Sequence, residues 1–200
     1  MTLPLRIGWI RHGVTEWNRL GKIQGVTNIP LSQEGVIQAR LLANRLAVED
    51  IQWDRIVSSD LLRAVHTAEI VAERLDIPLN HDSRLRERSF GDAEGTTEQE
   101  RLMKWGTEWR ELVPNQESDD AVIARGLAFI DELKTCDEGQ SWLVVTHGGF
   151  LVRLLKALCG ELPEGFLRNV SYTIVEMHDQ KWNLKLYNCT EHLVEIKSGQ

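Results

Sequence analysis

Only three cysteines, Cys136, Cys159 and Cys189, are scattered along the 200 residues. An odd number without paired spacing argues against a disulfide framework and against a cysteine zinc cluster, so ordinary core thiols in a reducing cytoplasm are expected. An excess of positive charge is also missing. The 23 Lys and Arg against 30 Asp and Glu leave a formal net charge of -7, which repels a polyphosphate backbone and removes nucleic acid from the expected partners. No apolar run approaches the roughly 18 residues of a membrane span, so no membrane partner is expected. Residues 1–6 lack the basic-then-apolar layout of a secretion signal. His66, His81, His178 and His192 show no ligand spacing with one another, so metal is not expected either. Internal repeats and low-complexity stretches are absent.

What remains is an alternation of short β-branched runs with longer amphipathic ones, the pattern of an α/β domain. A chain of this length buries roughly 70% of its unfolded surface, enough for one domain over residues 1–200. Residues 5–10 read as a first strand, followed by an irregular stretch over 21–31. Ser32 caps a helix whose Val36, Ala39, Leu42, Ala43 and Leu46 share a face, ending by Asp50. A strand over 54–57 stops at Ser58-Ser59-Asp60, which is expected to cap a helix over 61–75 closed by Ile77-Pro78. An extended piece then leads to Leu85-Arg86-Glu87-Arg88 and a turn-rich stretch over 91–95. Thr97 and Glu100 have capping-box spacing and predict one helix over 98–112, ended by Pro114. A further helix runs from Ser118-Asp119-Asp120 to about Thr135. Residues 142–146 form the clearest buried strand, and a helix to about Leu158 follows His147. Residues 172–177 and 182–187 make a hairpin around Asp179-Gln180.

Chemistry gathers where these strands stop. The first runs directly into Arg11-His12-Gly13, at the carboxyl end where open α/β sheets place their ligand crevices. Arg63 lies in the first turn of one predicted helix, and His147 leads into another through Gly148-Gly149. Helix amino termini carry partial positive charge and unpaired amides, so each break favours an anion. With Arg11 and His12 they make a plausible phosphate pocket.

The strings RHGVTEWN (11–18), SSDLLRAVHTA (58–68), LRERSFGDAEG (85–95) and VVTHGG (144–149) resemble, in order, four signature segments of the histidine phosphatase superfamily, in its phosphoglycerate-mutase-like branch and broad-specificity phosphatase type. The resemblance implies a three-layer α/β/α sandwich with a mostly parallel central sheet, phosphoglycerate mutase-like, in which residues about 90–140 form a helical cover over the site. It makes His12 the residue that becomes phosphorylated and Glu87 the proton donor. Arg11, Arg63 and His147 would hold the phosphoryl oxygens, with Asn18, Gln24, Gly25 and Gly148 contributing to the phosphate site. No cofactor is implied. His12 must be neutral at the attacking nitrogen, so a hydrogen bond that fixes its tautomer is expected, to a nearby backbone carbonyl. If the segment around Glu87 is extended, Arg86 and Arg88 point away from it, and a bound phosphate favours its protonated form. Glu94 is the competing acid, or else orients a loop. Thr15, like Asn18, fits the family pattern or serves as a local cap. Trp105 and Trp109, four apart on one predicted helix, would share a face and wall an aromatic pocket with Trp17, or else belong to a core.

Val14, Asn28 and Ala93 depart from residues common in the family, which touches substrate identity rather than chemistry. Phosphoglycerate mutases usually carry a longer insertion between the acid and the second histidine, and a Thr-Gly-Trp element where this chain has Ile23-Gln24-Gly25. The expected activity is therefore hydrolysis of a small phosphorylated metabolite, with a mutase as the alternative. A domain that only binds phospho-ligands is a third reading, and it leaves His12 and Glu87 together without a use.

Overall fold

A computed structural model describes residues 4–135 and 139–198; Cys136 and residues 1–3 of the amino-terminal stretch lie outside them. The strands are β1 (Leu5–Arg11), β2 (Arg55–Ser58), β3 (Leu79–His81), β4 (Ser141–Thr146), β5 (Tyr172–His178) and β6 (Lys181–Cys189). The helices are α1 (Glu16–Arg19), α2 (Gln33–Leu46), α3 (Leu62–Leu75), α4 (Glu98–Trp105), α5 (Trp109–Leu112), α6 (Asp119–Thr135) and α7 (Gly148–Cys159). The strands form one sheet in the order β3-β2-β4-β1-β5-β6. The first four run parallel, while β5 pairs antiparallel with β1 and β6 antiparallel with β5. At the β5–β6 turn, Asp179 and Gln180 both have positive φ, as a two-residue hairpin of the expected kind demands.

Side chains alternate across the sheet with a period of two, and that alternation builds two cores. Ile7 and Trp9 of β1 join Val144 of β4 on the face covered by Phe129 and Ile130 of α6 and Phe150 and Leu154 of α7. Ile10 of β1, with Leu143 and Val145 of β4, meets Leu42 and Ala43 of α2 and Ala64, Ala68 and Val71 of α3 on the other. This is the expected α/β/α sandwich. Central β4 is buried along its whole length, as a strand covered on both faces must be.

Three local expectations change. The helix predicted over 98–112 is two helices: α4 starts on the Thr97–Glu100 capping box and stops at Gly106, whose φ of 72° is a backbone state glycine reaches without steric cost. Trp105 and Trp109 therefore do not share a helix face. Helix α3 is not capped by Ser59 or Asp60; the N–H of Leu62 donates to Asn28 Oδ1 (2.7 Å), and Asp60 pairs with Arg86. Cys189 is a half-buried free thiol that meets Arg45 rather than a core residue, while Cys159, also half-buried and free, packs against the α6–α7 core. Among the described residues, no helix is long and apolar enough to cross a membrane.

The helices after adjacent β1 and β4 pack on opposite faces, so a crevice opens between the carboxyl ends of these two strands. Their alignment depends on close packing at Gly8. A Cβ there would lie 2.8 Å from both Leu143 Cδ2 and Trp53 Cη2 and 3.0 Å from Tyr172 Cε2. Gly8→Ala is expected to cost about 1–3 kcal/mol through overpacking, read as a lower urea midpoint; an unchanged midpoint would show that this face is loose.

Candidate active site

The carboxyl ends of β1, β2 and β4 deliver Arg11 and His12, Ser59, and His147 side by side. His12 N–H donates to the Thr146 carbonyl (2.9 Å), and Ser59 N–H to that of Val145 (2.9 Å). The carbonyl of His12 is held in turn by Asn169 Nδ2 (2.9 Å) and by the N–H of Val170 (3.3 Å). Val170 adopts a φ of 47°, a strained state for a β-branched residue that costs of order 1–3 kcal/mol, tolerated here beside the site. The chain then passes so close to α2 that a Cβ on Gly13 would lie 2.7 Å from the Gly35 carbonyl oxygen.

The expected tautomer bond of His12 is present. Its Nδ1 lies 2.7 Å from the carbonyl of Gly13, so Nδ1 carries the proton and the lone pair sits on Nε2, which has no partner among the described residues. Burial, then the charges of Arg63 and Arg11, hold the His12 pKa well below its ordinary value. His147 is fully buried, its ring centre 5.2 Å from that of His12. Burial and Arg63 lower its pKa strongly as well. Its Nδ1 accepts from Arg63 Nε (3.2 Å), which puts the proton on Nε2, toward Ser59 Oγ (2.8 Å).

Both arginines are buried cations whose forks are held by carbonyls. Arg63 donates to the carbonyls of Thr27 (2.8 Å) and Gly25 (2.6 Å), and burial lowers its pKa to about 10, leaving it charged at neutral pH. Arg11 donates through Nη1 to the Leu167 carbonyl, while its buried Nε has no acceptor. Gly25, at a φ of 53°, presents its carbonyl to Arg63, and a Cβ there would overlap the carboxylate of Glu94. Glu94 accepts from the N–H groups of Val26, Thr27 and Phe90 and from the Thr27 hydroxyl. The competing acid is thus the staple of this loop.

Glu87 faces the amino terminus of α7. Its Oε2 accepts from Gly149 N–H (2.9 Å), and its Oε1 from Phe150 N–H (2.7 Å) and from Arg88 N–H (2.9 Å). The paired glycines have a steric reason: a Cβ would lie 3.2 Å from Arg11 Nε at Gly148 and 2.7 Å from Glu87 Oε1 at Gly149. The flanking arginines turn away as expected, Arg86 to Asp60 and Arg88 to the Glu117 carbonyl and Asp119. Arg125 of α6 fixes the segment by donating to the carbonyls of Arg84, Arg86 and Glu87.

Thr15 caps α1 in a capping box with Asn18. Asn18 Oδ1 accepts from Thr15 N–H (3.1 Å) and Thr15 Oγ lies 2.9 Å from Gln24 Oε1, so both carboxamides are held by their oxygens. Their NH2 groups keep donor capacity toward a cavity of about 480 Å3, which Arg11, His12, Asn18, Gln24, Gly25, Arg63, Glu87 and Gly148 line together. Val14 N–H goes to Gln38, and Ala93 is buried against Trp109. Trp109 is 3% exposed, Trp105 packs beside it, and neither they nor Trp17 lines the cavity. Sequence reading missed Ser59, Asn169 and Arg125 as supports, and Lys22, Ile23, Phe90, Val152, Arg153, Phe166 and Leu167 as walls. The α7 walls follow from helical spacing after Gly149; Asn169 and Arg125 carry no local signal. Among the described residues, no group of three or more His, Cys, Asp or Glu could hold a metal ion.

His12 is therefore expected to show a neutral, Nδ1-protonated ring by nitrogen NMR, with no titration step near pH 6.5; a midpoint there would contradict the buried arrangement. The linkage has a definite sign. Below about pH 6.5 the unfolded chain protonates these rings while the folded one does not, so stability is full above that pH and falls as pH drops through it. His192, which burial lowers to about 4, adds to the same slope down to that value. Urea midpoints measured between pH 7.5 and 5.5 should decrease, and a midpoint that rises on acidification would refute this sign.

The model of the histidine phosphatase superfamily (branch 1) matches residues 7–190. The chain is 35% identical over 187 residues to an uncharacterized phosphatase, PhoE, of Bacillus subtilis, covering 92% of this chain and 94% of that one. It is 30% identical to a metal-independent phosphoserine phosphatase of Arabidopsis thaliana, covering 94% and 82%. A solved mycobacterial glucosyl-3-phosphoglycerate phosphatase superposes with a TM-score of 0.84 at 32% identity, over 92% of this chain and 99% of that one. Similar proteins also include a probable phosphoglycerate mutase, GpmB, of Yersinia pestis, 35% identical over 192 residues. From residue 7 to residue 190, then, the chain belongs to the histidine phosphatase superfamily, branch 1.

Proposed function

We propose that this protein hydrolyses small phosphate monoesters through a phosphohistidine on His12, without a metal. The observation that carries the reading is the Nε2 of a buried, neutral His12, unpartnered among the described residues, in a cavity that also holds two guanidiniums and the Glu87 carboxyl. A phosphate dianion repels nucleophiles, and fixed positive charge relieves that repulsion as charge shifts in the transition state. Arg11 and Arg63 supply it, with Asn18 and Gln24 as neutral donors, Gly148 leaving room for Arg11, and Gly25 holding Arg63. His147, buried behind the cavity rather than lining it, orients Arg63 through Nδ1, and its Nε2–H would have to turn from the Ser59 hydroxyl to reach a phosphoryl oxygen.

In the first step the Nε2 lone pair forms the N–P bond, the P–O ester bond breaks, and protonated Glu87 gives its proton to the departing alkoxide. Water then forms a new P–O bond as it loses a proton to the Glu87 carboxylate, and the P–N electron pair returns to His12. The enzyme ends as it began. One catalytic unit spans the chain, with residues about 90–140 as a cover; Phe90 in the cavity wall and the grip of Arg125 on the Glu87 segment support this. The relatives named as phosphatases support hydrolysis of small soluble esters, and the free thiols suit a reducing cytoplasm. The probable mutase among the similar proteins keeps isomerisation of phosphoglycerate as the second reading.

Incubation with 3-phosphoglycerate and a trace of 2,3-bisphosphoglycerate separates the two: phosphate release that persists in EDTA is expected, and rapid interconversion of isomers without release would sink hydrolysis. Glu87→Gln should slow alkyl phosphates by roughly 100-fold, the usual scale of general acid catalysis, and p-nitrophenyl phosphate far less, because its leaving group needs little protonation. Equal losses on both substrates would remove Glu87 from the acid role.

A further inference from the structure

We infer that Lys22 selects substrates whose alcohol half carries a second anionic group, a carboxylate or another phosphate. The inference rests on the phosphatase reading and concerns the same cavity. Among the described residues, four basic side chains line that cavity, Arg11, Lys22, Arg63 and Arg153, and three of them are committed. Arg63 is held by two carbonyls and His147, and Arg11 reaches the Leu167 carbonyl. Arg153 donates to Asp119 Oδ1 (2.6 Å) and to the Gly149 carbonyl (3.0 Å). Among the described residues, the Lys22 ammonium has no hydrogen bond or ion pair. Its field reaches Glu100, but that carboxylate is engaged by Thr97 in the cap of α4.

Charge balance indicates what the ammonium awaits. Arg11 and Arg63, beside His12, match the two negative charges of a phosphate monoester. Lys22 is then a surplus cation in a half-enclosed cavity, where an opposite charge is worth more than in open solvent. Its backbone is anchored rather than loose: Lys22 N–H donates to the Trp17 carbonyl (2.9 Å), and the next residue, Ile23, exchanges bonds with Thr96 and Gly95 (3.1 and 2.8 Å). Gln24, two residues on, is held by Thr15 and lines the same cavity, where the proposed function gives it a phosphoryl oxygen. One short segment thus spans the reacting phosphate and the far half of the ester.

The test uses matched esters. 3-Phosphoglycerate and glycerol 3-phosphate differ by a carboxylate in place of a hydroxymethyl group, and glucose 1,6-bisphosphate and glucose 6-phosphate by a second phosphate. In at least one pair the anionic member should have a kcat/KM roughly tenfold higher, the pair that shows it naming the group. That ratio should fall at least fivefold in Lys22→Met and persist in Lys22→Arg, with melting temperatures checking that both variants fold. Equal rates in both pairs, or a ratio unchanged in Lys22→Met, would overturn the inference. If wild-type enzyme turns over p-nitrophenyl phosphate but none of the four esters, the inference fails while the phosphatase reading stands; if p-nitrophenyl phosphate is also inert, the phosphatase reading itself fails.

Discussion

Two guanidiniums buried beside an imidazole that must stay uncharged set the terms for this structure. Removing a cation from water is expensive unless polar groups of the protein replace the solvent. Arg63 and Arg11 are given carbonyls rather than carboxylates, from Gly25 and Thr27 in one case and from Leu167 in the other. Carbonyls hold the forks without cancelling the charge. Burial first, and that uncancelled charge after it, keep His12 and His147 unprotonated, and the same charge is what a phosphate dianion would meet on entering.

Much of the surrounding chain follows from that requirement. The carbonyls of Gly25 and Thr27 face Arg63 because the loop turns at a positive φ and because Glu94 gathers the amides of Val26, Thr27 and Phe90. Glu87, among the described residues the one carboxyl group in the cavity wall, is held by the amides at the start of α7, and glycines at 148 and 149 make room for Arg11 and Glu87 respectively. The N–H of Val170 and the carboxamide of Asn169 fix the His12 carbonyl, so the imidazole is aimed by its backbone as well as by its ring bond to Gly13. Groups far apart in sequence share one task, keeping a nucleophilic nitrogen uncharged among cations.

Where a residue's role is set by local chemistry, the sequence was readable. Strand ends at Arg11, Ser58 and Thr146 follow from buried β-branched runs that stop at polar residues, and the sheet then brings them level. The tautomer bond of His12 was predictable because a nucleophilic imidazole needs one nitrogen protonated. Roles set by distant packing were not legible. A single helix over 98–112 satisfies the apolar spacing, but Gly106 takes a positive φ and divides it, which sends Trp109 into a small core with Ala93 and Val113. Asn28 caps α3 across 34 positions, and Arg125 grips the Glu87 segment from α6. Neither leaves a mark in its own neighbourhood.

Direct chemical identification of the phosphorylated atom bears on all of this most closely. Rapid mixing with p-nitrophenyl phosphate, an alkaline denaturing quench at millisecond times and peptide mapping by mass spectrometry would locate any phosphoryl group. A phosphohistidine mechanism predicts transient modification of His12 at Nε2 that forms with the first turnover and disappears as substrate is exhausted. Modification of another residue, or full phosphate release by His12→Ala, would contradict it.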